Sequence, residues 1–191
     1  TQFPAAIQRW TPHLWEELQG IAEGARQSFE DVLAINLTDE QWWFFAEEKA
    51  EACTSFAYRD DAGAIWSGQN LDITGWMDGL QVILRLGDDA VMATLAGTIG
   101  MTGINAQGLS ICCNTLLQLP HRADGLPALC AIRGFLDQRD LASGESFMKR
   151  VTHASGLHYL VADPTGWLGL ECDADGVRRI PYFCAGCPHN L

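Results

Sequence analysis

The chain has 191 residues, of which 48% are hydrophobic, and it carries 12 basic against 24 acidic side chains, a formal net charge of −12. This much apolar material fills one sizeable core, so the length favours one domain or at most two. The electric field of a negatively charged protein repels phosphate backbones and anionic headgroups, so we expect no nucleic-acid partner. No run reaches the roughly 18 apolar residues of a membrane span, and the start lacks a signal-peptide layout, so we expect no membrane partner.

Seven cysteines lie at positions 53, 112, 113, 130, 172, 184 and 187. Their number is odd, most have apolar neighbours, and the domain is too large to need disulfide staples. We therefore expect a reducing compartment and a cytoplasmic protein.

The first fifty residues have a helical pattern. Apolar side chains at 14, 18, 21 and 22 form the stripe of an amphipathic helix over 12–25. Ser28 with Asp31 three residues later predicts a capping box before a second helix, 29–36. The aromatic run 42–45 follows and must be buried.

From Cys53 onward the sequence pattern changes from helical periodicity to short β-branched or aromatic runs. These runs, at 54–58, 64–68, 80–86 and 90–95, predict an antiparallel meander that continues through 97–116. Helices are predicted at 126–136 and 143–151, and strands at 158–162 and 166–171. This order of helices, sheet, helices and sheet favours a layered α+β domain.

Cys53 stands where the helical segment meets the first predicted strand. Cysteine is the strongest nucleophile among the side chains and needs a nearby base. Cleavage of the Ala52–Cys53 bond would supply one, because a free α-amino group has a pKa of roughly 7.7 to 8.0. The plain alternative is a buried packing cysteine.

Two polar positions are candidates to assist Cys53. Asp72 follows a predicted strand, where a carboxylate could orient the amine, although an Asx turn explains the same residues. Asn114 lies among apolar residues on a strand, so its amide must find partners and could donate to an oxyanion or a substrate. The nearby segment 105–108 predicts a hairpin turn.

Cys184 and Cys187 form a C-x-x-C pair, which is half of a zinc site. The sequence has no second such pair. We therefore expect no metal and no cofactor.

Together these motifs resemble the isopenicillin N acyltransferase family, also called acyl-CoA:6-aminopenicillanate acyltransferases, within the Ntn (N-terminal nucleophile) hydrolases. Blocks in the same order carry the resemblance: 17–24 with 34–37 and Glu40, 52–55, 68–70 with Asp72, 103–108 with Asn114, and, more weakly, 169–171.

The resemblance implies an αββα sandwich with antiparallel sheets between helix layers, of which this chain looks like a fragment. It also implies self-cleavage at Ala52–Cys53, with 1–52 as a helical segment that stays associated and 53–191 as the core. The family chemistry is amide hydrolysis or acyl transfer through a thioester, with Cys53 as nucleophile and Asp72 as its partner. The expected partner is a small amide or thioester, and acyl-CoA is one candidate substrate.

Two departures from the family pattern stand out. Ala52 replaces a glycine before the cysteine, and Asn190 is the one candidate for the asparagine of a family His-Thr-Asn-His motif that lines the oxyanion hole. The alternative hypothesis is therefore an unprocessed, non-catalytic binding or scaffold protein that retains the fold.

Overall fold

The structure is a computed structural model that describes residues 2–41, 43 and 53–181. Its helices are α1 (Phe3–Trp10), α2 (Pro12–Ala25), α3 (Phe29–Ile35), α4 (Thr38–Gln41), α5 (Ala128–Leu136) and α6 (Leu141–Arg150), with a 3-10 turn at Gly75–Met77. Its strands are β1 (Thr54–Arg59), β2 (Ile65–Asn70), β3 (Gln81–Leu86), β4 (Ala90–Leu95), β5 (Thr102–Asn105), β6 (Ser110–Thr115), β7 (Leu157–Asp163), β8 (Gly166–Asp173) and β9 (Gly176–Ile180).

Local signals set the helix ends. The Ser28 hydroxyl accepts a hydrogen bond from the backbone N–H of Asp31 at 3.1 Å, which confirms the predicted cap of α3. Helix α6 begins two residues before the predicted start, because Asp140 is its N-cap and forms a capping box with Ser143.

Seven strands, β3 to β9, form one antiparallel sheet in chain order. The predicted turn between β5 and β6 is confirmed: Gly108 has φ of +81° and its N–H donates to the carbonyl of Asn105. That left-handed conformation favours glycine.

Strands β1 and β2 form a separate two-stranded sheet, in which Thr54 pairs with Asn70 and Arg59 pairs with Ile65. The prediction of one meander through the first four strands is therefore wrong between β2 and β3. The physical reason is the ten-residue connection 71–80, which contains the 3-10 turn and carries the chain from one sheet to the other.

The two sheets and the helices are stacked in layers. Along β6, Ile111 and Cys113 belong to the hydrophobic core with α5, whereas Ser110 and Asn114 face the β1–β2 hairpin. The order is thus helices, seven-stranded sheet and hairpin, which are three layers of the αββα order. The α+β class predicted from the sequence is confirmed.

The outer face of the hairpin carries three large aromatic side chains, Phe56, Tyr58 and Trp66, which are about half exposed. Of the predicted aromatic run 42–45, the structure describes Trp43 alone, whose ring lies 5.6 Å from that of His121. Within the described ranges, no helix is long and apolar enough to cross a membrane.

Candidate active site

Cys53 differs from the other cysteines that the structure describes. It immediately precedes β1 and is partly accessible, whereas Cys112, Cys113, Cys130 and Cys172 are buried. Burial raises the pKa of each of those four thiols above its ordinary value. Because the thiolate is the nucleophile, Cys53 is the described cysteine best placed to react.

A cavity of about 60 Å³ lies beside Cys53 and brings together distant parts of the chain. Its polar walls come from α4, from the start of β1, from the connection after β2 and from the end of β6. These polar residues are Thr38, Asp39, Cys53, Asp72, Thr74, Cys113 and Thr115, and the apolar walls include Leu71, Ile73, Met77, Met101 and Leu129.

Asp72 lines this cavity together with Cys53, which is the juxtaposition that the resemblance implies. Its side chain is exposed, and its Oδ1 accepts a hydrogen bond from Nδ2 of Asn70 at 3.0 Å. The carboxylate therefore borders the same cavity as Cys53 while it remains open to solvent.

Asn114 is placed differently. It faces the hairpin, where its Oδ1 accepts a hydrogen bond from the Ser55 hydroxyl at 2.8 Å, and it is not among the residues that line the cavity. The structure thus does not bring Asn114 to the Cys53 cavity, and its oxyanion role stays a prediction. Ala52, Asn190, Cys184 and Cys187 lie outside the described residues.

Asp39 is a cavity residue that the sequence reasoning missed. The hydroxyl of Thr115 donates to its Oδ1 at 2.7 Å. Burial raises the pKa of Asp39, and the Thr115 hydrogen bond opposes that rise. The sequence signal that could identify Asp39 is its position next to Glu40, which belongs to the first block of the resemblance.

Glu40 is buried directly behind the cavity wall. Its Oε1 accepts hydrogen bonds from the backbone N–H of Ala128 at 2.9 Å and from the Ser155 hydroxyl at 2.6 Å. Desolvation, with the charge of Asp39 as a further cause, raises the pKa of Glu40 to about 7. These contacts hold α4 against the start of α5.

A second cavity, of about 360 Å³, adjoins the first and shares Leu71, Ile73 and Met101 with it. The remaining walls come from β3 and β4, and none of the described residues that line it carries a charge. It therefore suits an apolar group. Among the described residues, no cluster of three or more His, Cys, Asp or Glu side chains is arranged to hold a metal ion.

The layered sheets, with a cysteine before the first strand, define the fold of an Ntn hydrolase. The solved structure of a mutant form of conjugated bile acid hydrolase from Clostridium perfringens matches with a TM-score of 0.52 at 14% identity, over 68% of this chain and 50% of that one. This likeness confirms the fold. Penicillin V acylase from Agrobacterium tumefaciens gives a TM-score of 0.49 at 15% identity, over 65% of this chain and 49% of that one.

A curated relative is similar to most of this chain. The 40 kDa form of acyl-coenzyme A:6-aminopenicillanic-acid acyltransferase from Emericella nidulans is 30% identical over 171 residues, which are 86% of this chain and 46% of that protein. The chain thus spans about half the length of the relative, and no family model matches it. The match confirms the resemblance carried by the motifs: the chain is related to the acyl-CoA:6-aminopenicillanate acyltransferases.

Proposed function

We propose that this protein is a self-processing amidohydrolase or acyltransferase that works through an acyl group carried on Cys53. The observation that supports this most is the position of Cys53: it stands before the first strand, is partly accessible, and shares a cavity with Asp72. The curated relative supports the general class, since its name describes an acyltransferase.

The chemistry begins with hydrolysis of the Ala52–Cys53 bond by water, which leaves Ala52 with a carboxyl group and frees the α-amino group of Cys53. That amine takes the thiol proton, and the resulting thiolate attacks the carbonyl carbon of a small amide or thioester. The ammonium then returns the proton to the leaving amine or thiol as its bond to the carbonyl breaks. Water or an acceptor amine finally displaces Cys53 from the thioester.

The acyl group fits best in the neighbouring apolar cavity, because that cavity shares walls with the Cys53 cavity and its described lining carries no charge. The donor is then an amide or a thioester of an uncharged acyl group. Acyl-CoA is one candidate donor, since the name of the relative contains it.

Cys53→Ala tests this proposal. Incubating the full chain with hexanoyl p-nitroanilide or with hexanoyl-CoA should add one hexanoyl group to Cys53, detected by intact mass and peptide mapping. The variant should lose both the adduct and the release of product, because no other described thiol is comparably accessible.

Cys112→Ala is the matched control, because that thiol is buried on β6 outside the cavity walls, and it should keep the adduct. Intact mass also reports cleavage, which appears as two fragments that meet between Ala52 and Cys53. A single uncleaved species whose product release survives Cys53→Ala would refute the proposal, and an uncleaved, inactive chain would favour the scaffold alternative.

A further inference from the structure

The cavity wall beside Cys53 includes two residues from the segment upstream of the proposed cleavage point. Thr38 and Asp39, both on α4, line the same cavity as Cys53 and Asp72. A carboxyl group from each side of residue 52 therefore borders the cavity. The upstream segment therefore contributes two polar side chains to the cavity wall.

Asp39 is held in place from two directions. Its own Oδ1 accepts a hydrogen bond from Thr115 on β6, at 2.7 Å. The adjacent Glu40 fixes the same short helix to the backbone of Ala128 and to Ser155. Thr115 thus fixes the Asp39 carboxyl group directly, while α5 and the segment before β7 fix the helix that carries it.

The described side chains around Asp39 include acidic groups but no basic ones. Among the described residues that line the cavity, none is Lys, Arg or His, and within the described ranges no ion pair joins Asp39 to a basic side chain. The other titratable groups nearby in the described part of the chain are Cys53, Asp72, Cys113 and, behind the wall, Glu40 and Tyr159. Among the described residues, this partly buried carboxylate has no compensating cation, and burying an uncompensated charge is costly.

Cleavage before Cys53 would create that cation, because the new α-amino group belongs to a residue in the same cavity wall. We propose that Asp39 is a positioning residue whose carboxylate, together with Asp72, holds the α-ammonium group of Cys53. This inference rests on the proposed function. During turnover the thiol proton moves to the α-amine and then to the leaving group, while Asp39 stays ionised and exchanges no proton.

The pKa of Asp39 supports this arrangement. In the uncleaved chain, burial raises that pKa and so disfavours the carboxylate. An ammonium group within a few ångströms acts in the opposite direction and favours the carboxylate. The carboxylate of Asp39 and the α-ammonium group of Cys53 thus stabilise each other once cleavage has formed the amine.

The test is the pH dependence of kcat/KM for hexanoyl p-nitroanilide, compared between the parent and Asp39→Asn. Removing a negative charge beside the thiol and amine disfavours protonation of both groups, so both limbs of the bell should move to lower pH, by about one unit. We expect kcat to fall about tenfold with KM changed less than about twofold, and Asp39→Glu to recover part of the loss.

Asp163→Asn is the matched control, because Asp163 also accepts a hydrogen bond from a threonine hydroxyl, that of Thr165 at 2.5 Å, but does not line the cavity. The pH profile of kcat/KM for Asp163→Asn should have both limbs at the same pH values as the parent. Thr115→Val serves as a second variant if Asp39→Asn does not fold. It removes the hydroxyl that donates to Asp39, raises the pKa of Asp39, and should shift the limbs in the same direction by a smaller amount.

The outcomes separate this inference from the proposed function. If Cys53 becomes acylated in the parent but Asp39→Asn leaves both limbs in place, Asp39 has no positioning role and the proposed function stands. Equal shifts in Asp39→Asn and Asp163→Asn would mean a general loss of stability and would also overturn the inference. A parent chain that neither cleaves nor acylates Cys53 refutes both.

Discussion

At the scale of single residues, Glu40 has a buried carboxyl group whose protonation should stabilise the protein. It is 3% exposed, and its Oε2 has no hydrogen-bond partner in the described part of the chain. Its folded pKa of about 7 lies above the ordinary value of 4.5. A carboxyl group with a raised folded pKa stabilises the fold fully below its unfolded pKa, and that contribution is lost as the pH rises through 7.

We therefore predict that the Glu40 contribution to the unfolding free energy falls by on the order of 1 to 3 kcal/mol between pH 5 and pH 8. His153 and His158, whose pKa values are lowered by burial, act in the opposite direction over part of this range, so the contribution of Glu40 is measured as the difference between the parent and a Glu40 variant. Glu40→Gln should reduce this slope, because glutamine keeps an oxygen for Ala128 and Ser155 but cannot ionise. Urea unfolding at several pH values measures the effect. Glu16→Gln, which changes an exposed acid on α2, should keep the slope of the parent, and an unchanged slope in Glu40→Gln would contradict the prediction.

Sequence patterns indicate which residues begin or end a strand more readily than which residues meet through the fold, and the catalytic roles of Cys53 and Asp72 stay predictions. Cys53 and Asp72 were selected from their places at strand boundaries, and the structure brings both to one cavity. Asn114 was selected from its apolar neighbours, but strand alternation places it on the face away from that cavity. Asp39 was missed because its partner, Thr115, is 76 residues away.

At the scale of elements, the β1–β2 hairpin is joined to the seven-stranded sheet by side chains. The amide of Gln69 donates to the carbonyl of Cys113 and accepts from its N–H at 3.0 Å. The hydroxyl groups of Ser67 and Ser110 lie 2.9 Å apart. Because Gln69 bonds both backbone groups of one residue, it is the main polar link between the two sheets.

Gln69→Ala should therefore destabilise the protein by about 1 to 3 kcal/mol, since it leaves two partly buried backbone groups of Cys113 without their partner. Hydrogen exchange at the Cys113 amide should become faster. Asn70→Ala is the matched control on the same strand, because its exposed side chain donates to Asp72 and, within the described residues, makes no hydrogen bond to β6. Equal losses in the two variants would argue against the role of Gln69.

The predicted elements were mostly correct where apolar periodicity was strong, as in α2 and β4, whose bounds match the structure. Helix α1 and strand β9 were not predicted. Strand β9 has little apolar sequence; it pairs with β8 along its length, and ion pairs join Arg178 to Asp173 and Arg179 to Glu145. Glu145, the partner of Arg179, lies in α6, so this ion pair forms only when the chain is folded.

At the scale of the whole molecule, the N-terminal helices are built into the core. Ile7, Leu14 and Leu18 are fully buried, and burying three such side chains contributes roughly 5 to 9 kcal/mol. Arg133 donates to both carboxylate oxygens of Glu17, at 2.7 and 2.8 Å. Apolar burial and the ion pair of Glu17 therefore hold this segment to the rest of the chain.

Asn36 also links the N-terminal helical segment to the rest of the chain. Its Nδ2 donates to the carbonyl of Gly97 at 3.0 Å, and its Oδ1 accepts from the N–H of Ile99 at 2.9 Å. The side chain thus bonds backbone groups that follow β4. Polar contacts and apolar burial together should make the upstream segment a permanent part of the protein.

We therefore predict that residues 1–52 remain bound to 53–191 after cleavage at Ala52–Cys53. Size-exclusion chromatography of the processed protein should give one peak, and a denaturing gel of that peak should show two fragments. Glu17→Ala should lower the urea concentration at which the fragments separate, because it leaves the buried guanidinium of Arg133 without its charge partner. His13→Ala, which removes a more exposed pair with Asp137, should change it little. A folded, active species that lacks the upstream segment would refute the prediction, because its exposed apolar core would then have to be tolerated in water.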